Sequence, residues 1–311
     1  MPLSNNLRGA AFMVIAMASF TLNDACMKAI TQDVPLFQAI AMRGVLTVAL
    51  LAVLVQAMAQ GRFLLPQREA RIVGVRAMAE MLATFTFIAA LMQMPLANIS
   101  AIFQALPFMV TLAAAVFLGD RIGWRRMLAI FIGFLGVLLI IRPGTAGFDV
   151  WSLMALASVA TAVVRDLATR KLSHHVPTVT VAFWTALLVT VVATAVAAGQ
   201  GWQTPTTRAL WLIPVAAGCV VLGYLFIIKA MRVGDIWFVA PFRYTMLIWA
   251  LFLGWAMFGT WPDGLTLLGG AVIVATGIFT IWRERKVREN NVDLVLTTPA
   301  TPPIRPPSGI A

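Results

Sequence analysis

The stretch SFTLNDACMKAITQDVP, residues 19–35, returns without a gap as TAVVRDLATRKLSHHVP, residues 161–177. Asp24 falls on Asp166, Lys28 falls on Arg170, and the closing Val-Pro pairs coincide. Farther along, AVFLGDRIGWRRMLAIFIGFLGVLLIIR (115–142) matches AMFGTWPDGLTLLGGAVIVATGIFTIWR (256–283) as a short hairpin of two helices, with one insertion allowed. The register persists across each half, so the chain contains itself twice.

The repeated unit is not a soluble one. The chain is 61% hydrophobic and 11% charged over 311 residues, where soluble domains carry about a quarter charged residues. Apolar runs near the ~20 residues that cross a bilayer recur along it, bounded by Gly, Pro or basic clusters. They predict ten helices at 8–29, 35–58, 70–92, 96–118, 124–142, 149–171, 178–199, 208–231, 236–258 and 264–283. The expected fold is an all-α membrane protein of ten transmembrane helices, built as two inverted-topology five-helix repeats over 8–142 and 149–285. Residues 287–311, polar and then rich in Thr and Pro, are expected to form a disordered cytoplasmic tail. Arg8 and the apolar run after it outline a secretory leader, but the run continues into the repeated unit, which favours a retained helix.

An odd number of spans per copy forces the second copy to enter the bilayer from the opposite side. The charges agree. GDRIGWRR (119–126) carries three arginines, whereas its counterpart GTWPDG (259–264) has no basic residue; AITQD (29–33) becomes RKLSHH (170–175) in the second copy. Equivalent loops thus swap their positive charge, as the positive-inside rule requires of inverted copies. Cytoplasmic basic loops put both termini in the cytoplasm, with Lys28, Arg142 and Arg208 as outward exceptions. The net charge of +11 is then a topology signal and not a nucleic-acid footprint. Cys26 and Cys219 sit in apolar runs without metal-like or disulfide-like spacing, and no metal or cofactor is expected.

Seven charges lie deep inside the predicted spans: Asp24, Arg43, Arg76, Glu80, Arg165, Asp166 and Arg243. A basic residue at a helix centre costs about 2.5–3.5 kcal/mol on insertion scales, so such groups need interior partners or water. Arg76 and Glu80, spaced i,i+4, share a helix face on which they can pair. Adjacent Arg165 and Asp166 point ~100° apart, so at least one needs a partner on another helix. Four arginines against three acids leave an excess positive charge that suits an anionic or zwitterionic ligand. Arg243, in FVAPFRYTMLIWA (238–250), is the leading candidate: Pro241 removes a helix hydrogen bond beside it, and Trp237, Phe238, Phe242 and Tyr244 supply ring faces. Phe103, Gln104 and Trp184 are further candidates for the same cavity.

These residues resemble the drug/metabolite transporter superfamily, of the EamA-type ten-helix kind, over nearly all of 8–285. The carriers are the duplicated halves, NDACMK in the first span, Arg43-Gly44, FLGDRIGWRR with Gly133 and Gly136, and APFRYT with WPDGLTLLGGAVIVATG downstream. Asn23-Asp24, Arg43, Arg76 and the 240–244 stretch look most like bacterial uptake carriers of the S-adenosylmethionine and riboflavin type. Asp120 stands where the family more often has Glu, and Thr260 replaces the acid in the second copy, which puts any role for that position in doubt. The resemblance implies an inner-membrane carrier whose cavity is lined by spans one to four and six to nine, with spans five and ten peripheral.

The reading that follows is a secondary transporter for a small amphipathic metabolite, working by alternating access in the bacterial inner membrane. Arg243, Tyr244, Arg43, Arg76, Asn23, Trp237, Phe103, Gln104 and Trp184 are assigned to substrate, and Asp24, Glu80, Asp166, Arg165 and Lys28 to coupling or charge balance. Its partners are the substrate and membrane lipid; a homodimer is compatible with it. A broad-specificity exporter and a membrane-embedded transferase are the rivals. The transferase is the poorer one, because His174 and His175 are the only imidazoles and neither sits in H-E-x-x-H spacing. No G-x-x-x-x-G-K-[ST] occurs, so nothing supports an ATP-driven pump.

Overall fold

The computed structural model describes residues 3–58, 63–119, 123–142, 149–173 and 175–297; the side chains of 3, 4, 118, 126, 236, 237 and 284–297 lie outside that description. Arg62, Asp120, Arg121 and His174 fall outside the described residues, as do the side chains of Arg126, Trp237, Arg285 and Lys286. Every described element is helical: α1 Leu3–Ile30, α2 Leu36–Met58, α3 Gln67–Gln93, α4 Leu96–Phe103, α5 Leu106–Leu118, α6 Trp124–Ile141, α7 Val150–Arg170, α8 Thr178–Gln200, α9 Thr207–Val233, α10 Ile236–Val239, α11 Thr245–Phe258 and α12 Gly264–Thr297. A 3-10 segment, Ala240–Tyr244, joins α10 to α11.

Eight of the described helical stretches are long and apolar enough to cross a membrane, with α4 and α5 together forming one of them as Leu96–Phe117. The fifth predicted span is shorter, its apolar part running Met127–Ile141, and the ninth is interrupted by the 3-10 segment. α12 continues as helix to Thr297, past the start of the segment expected to lack structure.

Local chemistry sets the ends. Asp149 caps α7 by accepting from the Ser152 amide at 3.0 Å, and Thr206 caps α9 by accepting from the Ala209 amide at 3.1 Å. α5 and α11, which occupy equivalent places in the two halves, each stop at a glycine with positive φ, Gly119 at 76° and Gly259 at 63°. Only glycine takes that left-handed turn without a steric cost, so the hairpin bends at the same place twice.

The packing pairs the halves reciprocally. α1 lies along α9, and α7, the counterpart of α1, lies along α3; α2 packs on α8 and α6 on α12. Each of these contacts is unchanged when every helix is exchanged for its counterpart. At the α6–α12 crossing the backbones touch: a Cβ on Gly136 would stand 2.9 Å from the Gly269 carbonyl oxygen, and one on Gly269 would stand 2.6 Å from that of Gly136. Small residues at such a crossing let two helices approach without side chains between them. The principal apolar core runs through both halves, from Met27, Ile30, Ile40, Leu91 and Ile102 in the first to Val159, Ile213 and Ile273 in the second, all buried.

Candidate functional site

Two helix interruptions organise the site. α4 gives way to α5 at Gln104-Ala105, just before Leu106-Pro107-Phe108, and α10 gives way to α11 through Ala240-Pro241-Phe242. Proline cannot donate a helix bond, and each span is interrupted beside one. The Gln104 side-chain Nε2, buried on the first break, donates to the Arg243 carbonyl in the second at 3.3 Å. The expected loosening beside Arg243 is present, and Gln104 serves its backbone.

The Arg243 side chain itself makes no hydrogen bond or ion pair among the described residues. It is surrounded by protein and within electrostatic reach of Arg165 and Asp166 on α7, yet it remains solvent-exposed.

On α7, Arg165 gathers two acids: Nη1 donates to Glu80 Oε2 on α3 at 2.9 Å, and Nε donates to Asp166 Oδ1 at 2.7 Å. Glu80 therefore looks across to α7 and not along its own helix to Arg76. Arg76 instead donates from Nε to the Thr169 hydroxyl at 3.0 Å and from Nη1 to the Thr185 hydroxyl at 2.6 Å, tying α3 to α7 and α8. The i,i+4 pairing open to Arg76 and Glu80 is displaced because the α3–α7 packing offers Glu80 a closer guanidinium. Glu80 still feels Arg76 and Arg43 as well as Arg165.

Across the site, Arg43 on α2 donates from Nη1 to Asn23 Oδ1 at 3.2 Å, and Asn23 donates from Nδ2 to Asp24 Oδ1 at 2.9 Å. Asn23 thus stands between the guanidinium and the carboxylate. The Arg43 Nε is buried without a hydrogen-bond partner, which leaves one donor unsatisfied in a low-dielectric setting.

Other expected site residues lie apart from this group. Lys28 is buried at the far end of α1, where Nζ donates to the Leu91 and Met94 carbonyls at 2.5 and 2.6 Å and sits 5.7 Å from the Phe258 ring centroid. It caps the C-terminus of α3, where a positive charge meets the helix dipole. Trp184 donates from Nε1 to the Phe63 carbonyl at 2.8 Å and packs against Phe183, at the loop before α3. Tyr244 is buried with its hydroxyl against Gly277 of α12, so α12 backs the 3-10 segment and is more than a peripheral strut. Phe103 sets its ring edge-on to Phe87 at 5.3 Å.

One residue of the site went unremarked in the sequence. Tyr224 on α9 packs edge-on against Phe20 at 5.5 Å and lies in the field of Glu80, Arg76, Arg165 and Arg43. Its hydroxyl has no hydrogen bond among the described residues. The available signal was its rarity: it is one of two tyrosines in the chain, set within the apolar run CVVLGYLFIIK (219–229).

The sequence and the fold have counterparts in known proteins. The EamA-like transporter family profile matches residues 7–142 and again 149–283. The chain belongs to that family. It is 31% identical over 195 residues to a riboflavin transporter of Vibrio cholerae, covering 62% of this chain and 65% of that protein. It is 26% identical over 192 residues to an S-adenosylmethionine uptake transporter of Rickettsia conorii, with 62% and 65% covered. The chain thus spans just under two thirds of the length of either relative. A longer match, 28% over 275 residues, covers 87% of this chain and 94% of a pseudopaline exporter of Pseudomonas aeruginosa. A solved crystal structure with 20% identity shares the fold at a TM-score of 0.63, covering 90% of this chain and 98% of that one. Membership of the EamA-like transporter family, together with the apolar helices, points to a multi-pass membrane protein.

Proposed function

We propose that this EamA-family chain is a secondary-active carrier of a small amphipathic metabolite bearing a carboxylate or phosphate, in the bacterial inner membrane with both termini cytoplasmic. α4–α5 and α10–α11 each count as one span and α6 as another, which makes ten spans in two inverted halves. The observation that carries the substrate reading is Arg243, a solvent-exposed guanidinium within the protein that has no ion-pair partner among the described residues, while Arg165 holds both Glu80 and Asp166. Arg243 and Arg43 then take the anionic group, Arg76 and Tyr224 border it, and Phe20 with Tyr224 offers a ring surface to an apolar or planar part.

Alternating access follows from the two breaks. A loosened helix bends at low cost, and the Gln104-to-Arg243 bond makes the two bends move together. The Asn23-Asp24 pair beside Arg43 is the group proposed to couple a proton, because substrate arriving at Arg43 competes for the same field as Asp24.

Counterflow in proteoliposomes with a panel of labelled carboxylate- and phosphate-bearing metabolites, S-adenosylmethionine among them and neutral riboflavin as the contrast, tests the reading. Arg243→Ala is expected to lower transport by roughly 10- to 100-fold, the worth of a hydrogen bond to a charged group. Unchanged affinity and rate in that variant would remove Arg243 from the site. Export is the second reading, favoured by the long alignment with the pseudopaline exporter, and the preferred direction under an imposed pH gradient separates the two.

A further inference from the structure

Away from the polar site, a groove of about 750 Å³ runs between α5 and α6, within the ~300–1,000 Å³ range of small-molecule sites. Its walls are apolar throughout, with Phe108, Met109 and Leu112 on one side and Leu128, Phe131 and Phe134 on the other. A polar ligand finds no partner there; a hydrocarbon chain does. Phe131 and Leu128 stay exposed, so the groove opens sideways where the membrane would be.

One end is marked by charge. Trp124 lines the groove, and the Arg125 guanidinium lies 5.1 Å from its ring centroid. Tryptophan favours headgroup depth, and arginine is the residue suited to phosphate. Both belong to GDRIGWRR, which carries three arginines and a single acid, whereas the equivalent loop of the second half carries none of the arginines. The other end is Ala105, in the turn between α4 and α5 and next to Gln104, which holds the Arg243 carbonyl.

We infer that the α5–α6 groove binds an acyl chain of an anionic phospholipid whose headgroup meets Arg125. Apolar walls, an arginine beside an interfacial tryptophan, and a lateral opening together describe one amphiphile, and the surplus of positive charge selects an anionic headgroup over a zwitterionic one. The chain end reaches the α4–α5 turn, so occupancy stiffens the break that positions Arg243. The binding site is independent of the substrate reading; only this effect on transport rests on it.

Native mass spectrometry of the full chain, equilibrated with phosphatidylglycerol or phosphatidylcholine of identical acyl chains, tests the inference. The protein is expected to retain phosphatidylglycerol several-fold over phosphatidylcholine. Arg125→Gln should abolish the preference while leaving chain binding, and Leu128→Trp, which fills the groove from its exposed wall, should lose both lipids with an unaltered melting temperature. Equal retention of the two lipids by the unmodified protein overturns the proposal, as does retention unaffected by both substitutions. Cross-linking of a Phe131→Cys variant to a second copy would also overturn it by covering the groove with protein. Should Leu128→Trp fail to fold, Met127→Trp on the same wall fills the groove instead.

Discussion

Gln104 and Arg243 stand 139 residues apart in sequence, yet the side chain of one donates to the main-chain carbonyl of the other at 3.3 Å. Each residue sits where its own span is interrupted. A single hydrogen bond thus joins the two bends, which the proposed alternating access would have to move together. Gln104→Leu removes it at a stability cost of about 0.5–1.5 kcal/mol. The expected result is a modest fall in detergent melting temperature with a larger fall in transport rate, and little change in apparent affinity.

The Arg165 triad predicts a different signature. Arg165 and Glu80 side chains are 19% and 18% exposed and bonded at 2.9 Å, so removing one partner strands a charge in a poorly solvated place. Losing one member of a buried pair costs about 3–5 kcal/mol. Arg165→Met or Glu80→Leu alone is expected to lower the melting temperature strongly, whereas the double substitution recovers much of it. A double-mutant cycle measures the coupling.

Tyr224→Phe keeps the ring against Phe20 and deletes only the hydroxyl, which has no hydrogen bond among the described residues. Stability should be unchanged. Apparent substrate affinity in counterflow should drop roughly two- to ten-fold, the worth of one neutral hydrogen bond. A fall in stability with unaltered affinity would make the hydroxyl structural.

Gly277 faces Tyr244 closely enough that any Cβ would collide with the phenol hydroxyl. Gly277→Ala should therefore displace the 3-10 segment and impair transport, and pairing it with Tyr244→Phe should relieve part of the defect. The combination of loss and relief, read as transport and melting temperature, separates a steric role from a chemical one.

Outside the spans, Asp263 has its carboxyl drawn down to about 2, first by hydrogen bonding to Thr266 and then by Arg142. A carboxyl lowered from its ordinary value near 3.9 contributes stability that is present above that value and lost as pH falls through about 2. Melting temperature should accordingly show no Asp263-dependent change between pH 8 and 5. Because Asp263 is half exposed, its ion pair adds at most about 1 kcal/mol, and Asp263→Asn should cost little beyond the weakened helix cap at Thr266.

Membrane character, the helical class, and the doubling that sets Asp24 over Asp166 were legible in the residue order, because bilayer thickness and the pattern of basic loops act on each segment separately. The same local logic exposed Pro241 as a loosening point and Arg243 as a charge in want of an explanation. Which charge meets which was a matter for the assembled helices. Glu80 chose Arg165 over Arg76, Lys28 capped α3, Trp184 joined the loop at Phe63, and Tyr224 entered the polar site. Helical spacing ranks only the neighbours on one helix, whereas an interior of low dielectric lets the nearest opposite charge or carbonyl on any packed helix outcompete them. Such proximity exists only once α3 has packed on α7 and α1 on α9.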